Sequence, residues 1–406
     1  MKKLWLNLIL LLFSFSTYAH THSPGNEETL NYQYQRIVRT TQDFINMLTP
    51  PQRMRLIQPY NSPFRTRGFC YTLASCRDFS GLLFFNLNTE QKVQLNKLLL
   101  SLLSTMGYRN IVSIMERQVV LNEMETMQRK YPFYLQLAGP SPYDIQTGSP
   151  AVWSPPLGRS NLEYSLIIFG SLDANQWAIR FEGHHISVNF TFVKKDGHVY
   201  ISPWPLFMGS NPMVVPRRPD FADEHLPFWT MEEGYSVLWR QVILARDFVL
   251  ALNDKQRAAA NWRAKIRSNL MGGTEPKVNS EIQNQNPILF LAVKDLPAMA
   301  KYLLKEYLKE YFYIFDTAIA NQFDLDRIVE QAKFSWWSNN LKSDFSSFYL
   351  RVVSGDYLIE LNQFSAFSVV SPGYDSIHIH SAVRNIKEDW DTNVIGSHEH
   401  YHYHQH

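Results

Sequence analysis

The chain has only two cysteines in 406 residues, Cys70 and Cys76. A disulfide framework cannot organise a fold of this size, although in an oxidising compartment the pair is close enough in sequence to close one local loop. Charge of one sign is also missing, because 39 Lys and Arg stand against 37 Asp and Glu for a net charge of +2. That balance leaves no basic face for nucleic acid or an anionic membrane as the main partner. The longest apolar run, Leu4 to Phe15, is broken only by Asn7 and Ser14. At about a dozen residues it falls short of the roughly 20 that cross the hydrocarbon as a helix, so no transmembrane segment is expected. There is no G-x-S-x-G elbow, and Ser187 and Ser381, though near histidines, have no triad spacing around them. No internal repeat of useful period is evident.

What is abundant is core material: 45% of residues are hydrophobic and 14% aromatic, enough for a fold without staples. Lys2 and Lys3, the apolar run and the small-residue exit Thr17-Tyr18-Ala19 have the form of a cleavable secretory signal over residues 1–19. Cleavage near Ala19 predicts a soluble protein in the periplasm or outside the cell. The new start, His20-Thr21-His22, offers an α-amino group and two imidazoles to copper, or is simply a terminus that contains histidine.

The pattern of elements predicts one α+β domain over residues 20–390, in which a helical N-terminal part and a helical insertion pack on a largely antiparallel sheet of central and C-terminal strands. Helical patterns cover residues 40–58 and 111–128, and Asn88 with Gln91 caps another helix that Gly107 should stop. Thr230 with Glu233 forms a capping box for a helix running to Leu252, and a further helix spans residues 297–315. Strands are expected at 133–137, 164–169, 177–181, 186–192, 334–337, 345–353, 357–361 and 377–383. Residues 271–287, rich in Gly, Asn and Gln, read as a flexible excursion and the best linker candidate, and 391–406 as a histidine-rich tail.

Two local patterns fix side-chain directions. A two-residue loop at Gly355-Asp356 sets Arg351 opposite Glu360, either as a surface ion pair or as part of a polar face shared with a site. In Trp177 to Phe192 the apolar positions are odd before Gly183 and even after it. A period of 2 cannot change phase in a regular strand, so a bulge or tight turn must fall at Gly183-His184-His185. With a bulge there, Arg180, Glu182, one or both histidines, Ser187, Asn189 and Thr191 share a face.

Chemistry is expected from the histidines. His378 and His380 alternate on a strand and point the same way, so with His184 and His185 they form a ligand set for zinc or copper, with His398 as a further candidate. The tail from His398 to His406 is otherwise a metal-scavenging tract or a solvated end. Glu182 is placed to act as general base on a metal-bound water, and Arg180 or Arg384 to hold an anionic group.

Trp177, the run Phe181-Glu182-Gly183-His184-His185-Ile186-Ser187-Val188-Asn189-Phe190-Thr191 and Pro205 to Pro212 resemble domain-of-unknown-function family 3500. So do Tyr349-Leu350-Arg351, Leu358-Ile359-Glu360, His378-Ile379-His380-Ser381, Arg384 and the downstream His398, and upstream Pro63, Arg67-Gly68 and Ser104 to Tyr108. The chain departs from that pattern at Ser376-Ile377, where an asparagine usually precedes the H-x-H, and at Asn385, where an aspartate usually follows the arginine. The resemblance implies kinship over most of the mature chain and carries no activity with it. The residues themselves predict a secreted metal-dependent enzyme, hydrolytic rather than oxidative, acting on a small-molecule or polymer substrate. The alternatives are a non-catalytic zinc- or copper-binding or interaction protein and a copper-dependent oxidoreductase.

Overall fold

The computed structural model describes residues 27–66, 68, 81–130, 163–215, 231–262, 270–273, 290–365 and 377–391. The segment expected as a secretory signal, His20-Thr21-His22, Cys70 and Cys76, the strand expected at 133–137, most of the 271–287 excursion and the tail with His398 lie outside them.

The helical N-terminal part consists of α1 (Glu27–Asn46), α2 (Pro50–Leu56), α3 (Thr89–Leu102) and α4 (Thr105–Lys130), with the short strands β1 (Ile57–Gln58) and β2 (Leu82–Leu83) between α2 and α3. Asn88 caps α3 as its side chain predicts: Asn88 Oδ1 accepts from Gln91 N–H at 2.9 Å while Gln91 Oε1 accepts from Asn88 N–H at 3.0 Å. Gly107 does not stop this helix. The break comes at Leu103, which bridges to Phe315, and Gly107 lies in the first turn of α4, where a Cβ would collide with the Ile314 carbonyl. Close approach of two backbones, rather than helix termination, is what requires a glycine there.

Five strands follow: β3 (Ser165–Gly170), β4 (Gln176–Gly183), β5 (Ile186–Lys195), β6 (His198–Ser202) and β7 (Leu206–Ser210). Next come α5 (Trp239–Leu250), α6 (Asp254–Ala260), β8 (Leu291–Ala292), α7 (Ala298–Phe312), α8 (Thr317–Ala320) and α9 (Leu325–Gln331). The C-terminal strands are β9 (Lys333–Ser338), β10 (Phe348–Ser354), β11 (Tyr357–Ser365) and β12 (Ile377–Asn385). Thr230 itself lies outside the described residues; from Met231 onward the expected helix begins only at Trp239. Gly234 at φ +80° breaks the pattern, and Val214 and Ser236 form a β-bridge instead, so backbone pairing overrides the capping signal.

Among the described residues, twelve strands join one sheet whose main path is β1-β3-β4-β5-β7-β12-β11-β10-β9-β8, with β2 on β3 and β6 on β5. Every pairing is antiparallel except β1 with β3. The protein is therefore α+β, with central and C-terminal strands meeting where β7 pairs both β5 and β12. Among the described residues no helix is long and apolar enough to cross a membrane.

The sheet has two unlike faces, as the period-2 pattern demands. Ile179, Phe181, Val188, Phe190, Leu206, Met208, Ile359, Ile379 and Val383 join a buried core with residues of α1, α3, α5 and α7. The opposite face is buried too, yet polar. One rung runs through Glu182, Ser187, Phe207, Ala382, Glu360 and Arg351 across six strands. The next rung toward the β4–β5 turn carries Gly209, His380, Asn362 and Tyr349.

Arg351 does face Glu360, but not at a surface: both side chains are fully buried, 3.6 Å apart. Glu360 also accepts from the backbone N–H groups of Met271, at 3.1 Å, Gly272, at 3.0 Å, and Gly273, and from the Tyr349 hydroxyl. The start of the excursion is thereby anchored to the sheet. Three consecutive N–H groups thus converge on one carboxylate, and glycine at 273 permits the close approach, since a Cβ there would lie 2.8 Å from Glu360 Oε2.

Candidate metal centre

The phase change at Gly183 is resolved by a tight turn, not a bulge. Gly183 pairs with Ile186, leaving His184 and His185 as a two-residue loop, with His185 at φ +69°. Of the two loop residues only the second, His185, has positive φ, as the i+2 position of a type II turn does, where glycine or asparagine is the usual residue. The hairpin puts Arg180 opposite Asn189 and Glu182 opposite Ser187, so the polar residues share one face as a bulge would also have had them do. Glycine at 183 is required by packing, since a Cβ would run into the Tyr164 ring, and the Tyr164 hydroxyl donates to the His184 carbonyl at 2.8 Å.

This turn projects His185 across β7 toward β12. His185 Nε2 lies 2.8 Å from His378 Nε2, and the His185 ring centroid is 5.3 Å from that of His380. His378 and His380 point to the same side, with ring centroids 4.5 Å apart. Space for this meeting exists because β7 offers Gly209 between them; a Cβ there would sit 2.9 Å from Cδ2 of both His185 and His380. One ligand nitrogen from each of His185, His378 and His380 lies within 4.8 Å of the others. His185 and His380 are buried, and His378 is half-buried. Burial holds the His380 imidazole neutral, its pKa pushed down to about 3, and the neutral ring is the form that ligates a metal. Two nitrogens on one tetrahedral zinc stand about 3.3 Å apart for bonds of about 2.0–2.1 Å. The 2.8 Å pair would open slightly and wider pairs would draw in.

The other residues expected at the site have protein partners of their own. His184 stacks on His185, with centroids 3.8 Å apart, and its Nδ1 is 2.6 Å from Gln118 Oε1, so it borders the trio without joining it. Glu182 is fully buried and paired with Arg180, Oε2 to Nε 3.0 Å. Among the described residues no carboxylate joins the three histidines within 4.8 Å. Arg180 also donates to the carbonyls of Phe64, at 2.6 Å, and Gly68. Arg384 donates to Asp389 at 2.6 Å and to the Gly273 carbonyl at 2.9 Å. Burial raises the Asp389 pKa, and Arg384 opposes that rise. Both arginines thus hold protein groups.

Sequence reasoning missed Gln118. It lies on α4, fully buried, with Nε2 3.2 Å from His185 Nδ1 and Oε1 on His184. The signal was present: Ile111, Ile114, Met115, Gln118 and Leu121 follow helical spacing, and an amide within an apolar stripe must find a buried partner.

Fold and site define an α+β protein with a three-histidine cluster on the buried polar face of a mostly antiparallel sheet. The family model described as "Protein of unknown function (DUF3500)" matches residues 31–392, and the chain belongs to that family. No curated protein and no solved structure matches it.

Proposed function

We propose that the chain is an exported metal-dependent hydrolase in which His185, His378 and His380 hold zinc or copper and leave one position for water. The observation that carries this reading is the convergence of three imidazole nitrogens within 4.8 Å on a buried polar face. Three histidines with an open fourth position are a set that lowers the pKa of a bound water toward neutrality. Glu182, on the arm of the hairpin that carries His185, is assigned to take that water's proton, directly or through one further water. Arg180 fixes the direction of its carboxylate. Export is read from the charged start, the apolar run and the small-residue exit of residues 1–19.

The test is hydrolysis of a panel of ester, amide and phosphoester substrates by zinc- and copper-loaded protein. Glu182→Gln should abolish turnover and leave metal content unchanged. Loaded wild type that turns over no member of the panel, or a Glu182→Gln variant as active as wild type, overturns the proposal. The enclosure of His185 and His380 favours one second reading, a non-catalytic protein that holds zinc or copper. Tight metal binding with no turnover by either loaded form would support it.

A further inference from the structure

Gln118 bridges the two histidines of the turn, and its amide has one accepting end and one donating end. With the amide turned this way, Oε1 lies 2.6 Å from His184 Nδ1 and requires a proton on that nitrogen, and Nε2 lies 3.2 Å from His185 Nδ1 and requires that nitrogen to accept. A neutral His185 with a bare Nδ1 carries its proton on Nε2, and at 2.8 Å it donates to His378 Nε2. The hydrogen bonds therefore run in one direction, from His184 through Gln118 and His185 to His378. In that state His185 Nε2 has no lone pair for a metal.

We propose that Gln118 is the switch that makes His185 a ligand: turning its amide by 180° exchanges the tautomers of His184 and His185 and frees His185 Nε2 for the ion. With Oε1 toward His185, Nδ1 becomes the protonated nitrogen and Nε2 is bare. His184 then accepts from the amide at Nδ1 and carries its proton on Nε2. Protons balance, since each imidazole is neutral before and after, and each proton only changes nitrogen through solvent. Gln118 touches neither metal nor substrate and acts as a positioning residue. It works as the outer-shell partners of metal-bound histidines do, by fixing which ring nitrogen is free. The adjacent histidines also gain a reason. His184 is the partner that takes up the opposite tautomer, which the stacked rings, 3.8 Å apart, allow from a single amide.

The inference rests on the metal-centre reading, and the experiment separates the two. Full-length protein with ¹⁵N-labelled histidine is examined by long-range ¹H–¹⁵N correlation before and after one equivalent of zinc, with assignments from single His→Gln variants. The metal-free protein should show His184 protonated at Nδ1 and His185 at Nε2, and zinc should invert both. Zinc affinity is then compared in Gln118→Glu and Gln118→Met, with the His185→Ala/His378→Ala/His380→Ala variant reporting what the C-terminal histidines bind. A carboxylate accepts from both Nδ1–H groups at once, so Gln118→Glu should tighten binding by about tenfold, whereas Gln118→Met should weaken it by about 10–100-fold. Equal loss in both variants, or a His185 already protonated at Nδ1 without metal, overturns the switch while leaving the metal centre standing. Wild type that binds no more zinc than the triple-alanine variant overturns the metal centre itself, and with it the switch.

Discussion

His185 Nε2 and His378 Nε2 lie 2.8 Å apart although 193 residues separate them in the chain. The contact joins the β4–β5 turn to β12 across β7, the strand that pairs with both. The meeting depends on what β7 does not carry at that point, which is a side chain at residue 209.

Gly209→Ala therefore tests the packing of the site. The added methyl would lie 2.9 Å from Cδ2 of His185 and of His380 and 2.8 Å from the Ile379 carbonyl, so rings or strand must shift. The expected cost is about 1–3 kcal/mol in stability, measured by urea unfolding, with zinc affinity at least tenfold weaker by competition titration. Unchanged affinity would contradict the arrangement.

Glu360→Ala should destabilise the protein by about 3–5 kcal/mol, because Arg351 would be left as a buried charge without its carboxylate. The same change removes the acceptor for the N–H groups of Met271 to Gly273. Unfolding by denaturant gives the magnitude, and hydrogen exchange at residues 271–273 should rise well above its rate in the wild type.

Tyr164→Phe deletes only the hydroxyl that donates to the His184 carbonyl at 2.8 Å. Loss of one such bond predicts about 1 kcal/mol lower stability, read from the unfolding midpoint. The ring packing that requires glycine at 183 would remain.

Acid should weaken the metal-free protein through His380. Its pKa is pushed down to about 3 by burial, below the ordinary histidine value, so the unfolded chain takes up a proton before the folded one does. The stability this group contributes is complete above about pH 6.5 and is lost as pH falls toward 3, at up to about 1.4 kcal/mol per pH unit. Unfolding free energies from pH 7 to 4 should fall less steeply in His380→Gln by up to that slope. An identical slope would contradict a buried neutral imidazole.

The sheet was legible because alternation and turn residues are local signals. The Gly355-Asp356 loop gave the Arg351–Glu360 register directly, and the parity change at Gly183 located the turn that carries His184 and His185. Depth was not legible: Arg351 and Glu360 read equally well as a surface pair, since local alternation does not say what covers a face. Nor was the role of residues 271–273, whose glycine-rich composition suggested freedom while their backbone N–H groups bind a carboxylate. The helix expected from Thr230 begins only at Trp239 because the bridge between Val214 and Ser236 is a tertiary pairing that a capping motif does not report, although Gly234 was a local warning in the sequence. The two histidine pairs were recognisable as ligand types. That His185, His378 and His380 meet while His184 turns to Gln118 depends on strand order, which spacing alone does not encode.

Metal content decides whether His185, His378 and His380 hold an ion. Full-length protein and the His185→Ala/His378→Ala/His380→Ala variant are equilibrated with micromolar zinc or copper, dialysed, and analysed for bound metal by mass spectrometry. One more equivalent is expected in the wild type than in the variant. Equal content in the two proteins would contradict it.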